Sequence, residues 1–177
     1  MSDRDDSMTD IRYRWIPVES DRGIPFEFNS ETFPRITHFP QRPAICRWVF
    51  LKNGIPVKAY VGETENLLTR IRGYLNPGPS QETNKRINAE SKAAILLGLT
   101  VRLEILRIEP IRINRVRVCN ENLSDPYVRK MMENFVLADF DVVHCELLNA
   151  ALNPLERRKR KAMKDNPMED FFQQHGL

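Results

Sequence analysis

Hydrophobic positions fall along this chain in short blocks whose period switches between two and about 3.6 residues. Residues 44–51, AICRWVFL, form a nearly continuous apolar run and read as a mostly buried strand. Lys52-Asn53-Gly54 is a turn signal, and Ile55 to Val61 is a second strand, so the pair predicts an antiparallel hairpin. Gly62 is where the chain leaves that strand. Behind Asn66, a good N-cap, Leu67, Leu68, Ile71 and Leu75 recur at helical spacing until Asn76-Pro77-Gly78-Pro79 stops the helix. A second helix is expected from Thr83, its cap, to Leu97, with Ile87, Ala94 and Ile95 as its apolar stripe and Gly98 at its end. Val101, Leu103 and Ile105 then alternate with Arg102 and Glu104, the pattern of a half-buried strand.

Pro110 interrupts that strand, and residues 111–118 read as a further strand or an edge hairpin carrying Arg112, Arg115 and Arg117. Ser124-Asp125-Pro126 is a helix start, and residues 126–140 follow with Met132, Phe135, Val136 and Phe140 facing the core. Glu133 lies at the border of that apolar face. Before the hairpin, residues 11–43 mix aromatics with prolines and read as an extended arm with one short strand, draped over the main domain. The expected organisation is a disordered N-terminus and arm over 1–43, a folded domain over 44–150 and a basic tail over 151–177. The fold class expected is α+β: a small antiparallel sheet of three or more strands flanked by helices, in β-β-α-α-β-α order.

Composition changes this picture little. A 41% hydrophobic and 29% charged chain is ordinary for a globular protein. No apolar run is long enough to span a bilayer, and the acidic, polar N-terminus has no signal-peptide core, so no membrane partner and a cytoplasmic location are expected, or a nuclear one in a eukaryote. Cys46, Cys119 and Cys145 are odd in number and widely spaced, which argues against a disulfide framework or a zinc site. The net charge of +3 is uneven: acids cluster early, and the run from Arg157 and Arg158 to Lys161 is basic. Basic runs suit polyphosphate backbones but are more often solvated surface.

The candidate chemistry sits where the hairpin meets the first helix. Arg70 and Tyr74 are one helical turn apart and share a face, and Tyr60 at the strand end can lie close to it. Two phenols and a guanidinium on one patch suit a phosphate.

Tyr60-Val61-Gly62, then Arg70 ten positions after the tyrosine, Tyr74 one turn later, and a glutamate on a late helix in Glu133-Asn134-Phe135-Val136-Leu137 together resemble the GIY-YIG nuclease superfamily. The run from Arg70 to Pro77, RIRGYLNP, is especially similar to the endonuclease domain of bacterial excision-repair nucleases. The resemblance covers roughly residues 44–150. It implies a Mg²⁺- or Mn²⁺-dependent endonuclease in which Glu133 holds the metal, Arg70 clamps the scissile phosphate, Tyr60 is or positions the base, and Tyr74 contacts the phosphate or orients the water. The family's closing asparagine falls on Asn149. The first motif is degenerate: its tyrosine is replaced by Cys46 on flanking sequence or by Phe50 on spacing. Glu63 stands where some members have a lysine, and Glu146 rivals Glu133 for the metal.

Gly62, Arg72, Lys85, Arg86, Arg115, Arg117, Asn149, Arg157 and Arg158 are the expected nucleic-acid contacts, with Arg112 a further candidate. The expected partner is double-stranded DNA, with a homodimer left open. Two other readings compete: a weak or inactive nucleic-acid-binding module of the same fold, favoured by the missing first tyrosine, and a protein–protein interaction domain, favoured by the apolar arm.

Overall fold

The structure, a computed structural model, describes residues 11–19, 23–28, 41–113, 116–140 and 145–149, with 111–113 and 116 described by backbone alone. The expected N-terminal disorder over 1–10 and the basic tail lie outside the described residues. The elements are β1 (Tyr13–Pro17), β2 (Ala44–Lys52), β3 (Ile55–Thr64), α1 (Leu67–Leu75), α2 (Glu82–Leu96), β4 (Thr100–Ile108), β5 (Ile111–Ile113), β6 (Val116–Val118), a 3-10 turn (Asn120–Ser124), α3 (Pro126–Ala138) and β7 (Glu146–Leu147).

The protein is α+β, and its main sheet has the order β1-β4-β2-β3-β7. β2 is central and is buried on both faces, which explains why residues 44–51 read as a continuous apolar run rather than an alternating one. Asn53 (φ 52°) and Gly54 (φ 80°) both take left-handed conformations between the paired ends Lys52 and Ile55. That is the two-residue turn whose twist matches a hairpin. The hairpin register places Cys46 opposite Gly62, Trp48 opposite Tyr60 and Phe50 opposite Lys58.

The sheet is mixed, which corrects the expectation of an antiparallel one. β1, β4, β2 and β3 pair antiparallel, but β7 runs parallel to β3, with Lys58 opposite Glu146 and Ala59 opposite Leu147. The chain reaches β7 only after α3 has crossed a face of the sheet, and such a crossover returns the strand in its neighbour's direction. The strand expected within the arm is β1, an edge strand on β4. Residues 111–118 fold as a separate two-stranded hairpin, with Ile111 opposite Val118.

Alternation along the strands builds two cores, one on each face. Cys46, Trp48, Phe50 and Tyr60 pack with Leu67, Leu68, Ile71 and Tyr74 of α1 and with Ile87 and Ala94 of α2. Ile45, Val61, Leu106 and Ile108 pack on the other face with Met132, Val136 and Leu137 of α3. Phe26 and Phe28 from the arm close over Trp48, with ring centroids 6.1 and 5.2 Å away.

The helix starts follow local chemistry. Asn66 accepts a hydrogen bond from Thr69 N (3.0 Å), and Asp125 accepts from Tyr127 N (2.7 Å) ahead of Pro126. Two expectations for α2 fail. Its N-cap is Gln81 rather than Thr83, and Ile95 is exposed rather than part of the stripe. The buried face of α2 is instead largely polar, with Asn84, Asn88 and Ser91 beside Ile87 and Ala94. The reason lies in α1: the Asn88 amide donates to Tyr74 O (2.7 Å) and Leu75 O (3.0 Å), satisfying carbonyls that the end of a helix leaves open.

Candidate active site

β3 carries the central segment. Tyr60 and Gly62 point toward α1, whereas Val61 points to the core beneath α3. The Tyr60 ring meets the Tyr74 ring edge-on, with centroids 5.8 Å apart. Trp48 supports Tyr74 from below at 6.0 Å. The Arg70 guanidinium carbon lies 4.8 Å from the Tyr74 ring centroid, a cation–π contact. Gly62 makes this closure possible: a Cβ there would stand 3.3 Å from the Tyr74 hydroxyl and 3.4 Å from Tyr60 Cε1.

Tyr74 is only 1% exposed, and burial holds its phenol well above the ordinary range. Tyr60 and Arg70 lie close enough to bias its ionisation, yet neither meets hydrogen-bond geometry with its hydroxyl. The Arg70 Nε is likewise buried without a partner. Burial works against the Arg70 charge, but Tyr74, Tyr60 and Cys46 outweigh it, so the guanidinium stays protonated. Two unpartnered buried donors beside one another are costly unless a ligand or water takes them.

Cys46 and Gly62 face each other across the β2–β3 pair. Cys46 is buried, which pushes its thiol up to about 12; Arg70 pulls it down, while Glu133 and Glu63 add to the rise. Arg70 on α1 and Glu133 on α3 belong to opposite faces, yet both fields reach this one thiol. Cys46 lies within the group, whereas Phe50 is fully buried in the first core opposite Lys58.

Glu133 is 7% exposed, on the inner side of α3, and its Oε2 is paired with the Lys130 ammonium. The pairing with Glu133 raises the Lys130 pKa against desolvation, and Glu63 and Tyr60 add to the rise. Glu63 is held by Arg129, whose Nε donates to it at 2.9 Å and whose Nη1 donates to Leu123 O (2.8 Å) and Ser124 O (3.0 Å). Tyr60, Arg70 and Tyr74 thus pack together on the α1 face, with Glu133 and Glu63 near enough for their charges to act on Cys46, and Lys130 near enough to feel Tyr60. Glu146 does not join them. Its side chain is 56% exposed and pairs with Lys58 at 3.4 Å, which Glu90 also holds at 2.6 Å.

Asn149 is fully engaged with backbone. Its Oδ1 accepts from Val61 N (2.9 Å) and its Nδ2 donates to Val61 O (2.7 Å). The side chain expected to meet nucleic acid therefore clasps the strand that carries Tyr60. Arg72, Arg86 and Arg117 are exposed, and Lys85 is tied to Glu82 (2.9 Å) and to the Pro79 carbonyl. Arg115, Arg157 and Arg158 lie outside the described residues, as does the side chain of Arg112.

Among the described residues no group of three or more His, Cys, Asp or Glu converges as a metal site. One buried carboxylate, that of Glu133, is still a hard donor that suits Mg²⁺, which keeps several waters and needs one or two carboxylates. The residues present therefore fit such an ion. Lys130 and Arg129 were not legible as site residues. The signal for Lys130 was its i,i+3 spacing to Glu133; nothing local marks Arg129, whose partner lies on a distant strand.

No family model, curated protein or solved structure matches the chain. Among the described residues no helix is long and apolar enough to cross a membrane.

Proposed function

We propose that this protein is a GIY-YIG-type endonuclease that hydrolyses DNA phosphodiester bonds with a divalent metal. The observation that supports this reading is Arg70 seated on the Tyr74 ring at 4.8 Å beside Tyr60, with the buried Glu133 carboxylate of α3 near enough for its charge to act on Cys46 as Arg70 does. A divalent ion held by Glu133 would supply charge neutralisation for the phosphate and its leaving oxygen.

The chain's own residues account for the rest. Arg70 is protonated and anchored on the Tyr74 ring, so its planar fork is pre-aimed at phosphate oxygens. Tyr74 acts as the platform, because its buried ring carries the Arg70 guanidinium on its face and meets the Tyr60 ring at its edge. Tyr60 orients the attacking water and, as its phenolate, takes the water's proton as the water oxygen bonds to phosphorus and the bond to the leaving oxygen breaks, the charge on that oxygen being met by the ion Glu133 would hold. Glu63 neither repels the phosphate nor serves as the base while Arg129 neutralises it. The exposed Arg72, Arg86 and Arg117 contribute backbone attraction without sequence readout.

Supercoiled plasmid incubated with wild type, Arg70→Ala and Glu133→Ala, in Mg²⁺ and in EDTA, tests the reading. Mg²⁺-dependent nicking lost in both variants is expected. Nicking that survives Glu133→Ala overturns it. A second reading, a module that binds nucleic acid without cutting it, is favoured by the buried thiol of Cys46 at the first-motif position, which has no phenol to offer. Retarded plasmid migration with no nicking by wild type would select it.

A further inference from the structure

Lys130 is the most exposed group of its cluster among the described residues: its side chain is 63% exposed, whereas Glu133 beneath it is almost fully covered. A buried carboxylate kept ionised without a partner is strongly unfavourable, so a charged Glu133 calls for a cation beside it. Here that cation is the Lys130 ammonium, which pairs with Glu133 Oε2. The other groups around the ammonium are Glu63, already taken by Arg129, and Tyr60. The ammonium therefore occupies a Glu133 oxygen, Oε2, for which a metal ligated there would compete.

We propose that Lys130 is the built-in counter-ion of Glu133, a positioning residue that a divalent cation displaces on binding. This rests on the reading of Glu133 as the metal ligand. The pair is one helical turn long, and the lysine stem is flexible and reaches solvent, so the ammonium can leave without moving α3. In the metal-free protein Lys130 keeps the carboxylate in place and neutralised. When the ion arrives, the ammonium is released beside Tyr60, where it adds to the positive field that faces a phosphate. Lysine and metal compete for one carboxylate, so Lys130 raises the metal concentration the enzyme needs.

Mn²⁺ binding to the DNA-free, full-length protein, read from the free-ion electron paramagnetic resonance signal, tests this. Wild type, Lys130→Met, Lys130→Arg and Glu133→Gln are compared, with circular-dichroism melts to check folding. Lys130→Met is expected to bind Mn²⁺ about twofold to fivefold more tightly than wild type, the scale of losing one partly exposed ion pair as competitor. Lys130→Arg, which keeps a cation, is expected to stay within about twofold of wild type. The Mg²⁺ concentration giving half-maximal nicking is expected to fall in Lys130→Met by the same factor. If Glu133→Gln abolishes Mn²⁺ binding but Lys130→Met binds no more tightly than wild type, the counter-ion role is overturned while the metal reading stands. If Glu133→Gln leaves binding unchanged, the metal reading itself fails.

Discussion

The Asn149 amide closes both hydrogen bonds of the Val61 peptide, accepting from its N–H at 2.9 Å and donating to its carbonyl at 2.7 Å. β7 pairs with β3 only at Lys58 and Ala59. Beyond them Asn149 does what a further strand residue would do, and it holds the edge that carries Tyr60 and Gly62. Asn149→Ala leaves the Val61 donor and acceptor without these partners, and a cost of about 1–3 kcal/mol is expected. Asn149→Asp keeps the acceptor but sets an anion against the Val61 carbonyl, and is expected to destabilise by a similar amount. Urea denaturation checks both; stability equal to wild type in Asn149→Ala would show that the clasp is dispensable.

Gly62 is required for contact rather than for backbone conformation, since its φ is not among the positive ones. In Gly62→Ala the new methyl group meets the Tyr74 hydroxyl at 3.3 Å, and that ring is wedged between Trp48 and Tyr60. Overpacking of this kind costs about 1–3 kcal/mol. Nicking is expected to fall about tenfold or more, because a displacement of about 1 Å at Arg70 or Tyr60 spoils alignment. Plasmid nicking together with a urea midpoint measures the two effects separately.

Cys46 is expected to resist alkylation. Its thiol is pushed up to about 12 by burial, so at pH 8 almost no thiolate is present to react. Iodoacetamide labelling followed by peptide mass analysis should find Cys46 unmodified in the native protein and modified in urea. The same shift gives a sign for stability. Against an ordinary value of 9.0, the folded thiol holds its proton more tightly than the unfolded one. Between about pH 9 and about pH 12 the unfolded state therefore binds fewer protons, and stability is lost as the pH rises. Arg70, Glu133 and Glu63 are the charges that bear on this thiol, and Cys46→Ala is expected to flatten the alkaline limb while Tyr74 still contributes to it.

Arg129 is a buried cation with three partners: Glu63, Leu123 O and Ser124 O. Arg129→Ala takes the partner from a half-buried carboxylate on β3 and from two carbonyls near the start of α3, and a loss of about 1–3 kcal/mol is expected. Arg72→Ala, at an exposed position on α1, is expected to stay within about 0.5 kcal/mol of wild type. Chemical denaturation of the two proteins side by side checks the contrast.

The sequence by itself determined the local elements and the spacing within them. The apolar run of β2, the Asn53-Gly54 turn, the Asn66 and Asp125 caps and the helical step from Arg70 to Tyr74 are all set by neighbours a few residues apart. Periodicity and capping report such short-range physics directly. Only the tertiary structure decided the rest. It put α3 on the opposite face from α1, turned Glu133 inward beside Lys130, and sent Glu146 to the exposed edge with Lys58. It also chose Cys46 over Phe50 as the residue inside the cluster, which strand parity could not do because both positions share one face. The parallel docking of β7, the Arg129–Glu63 pair and the Asn149 clasp join residues far apart along the chain. Pairings of that kind depend on which surfaces meet when the sheet and helices pack, and no local pattern around Arg129 or Asn149 records the partner each one finds.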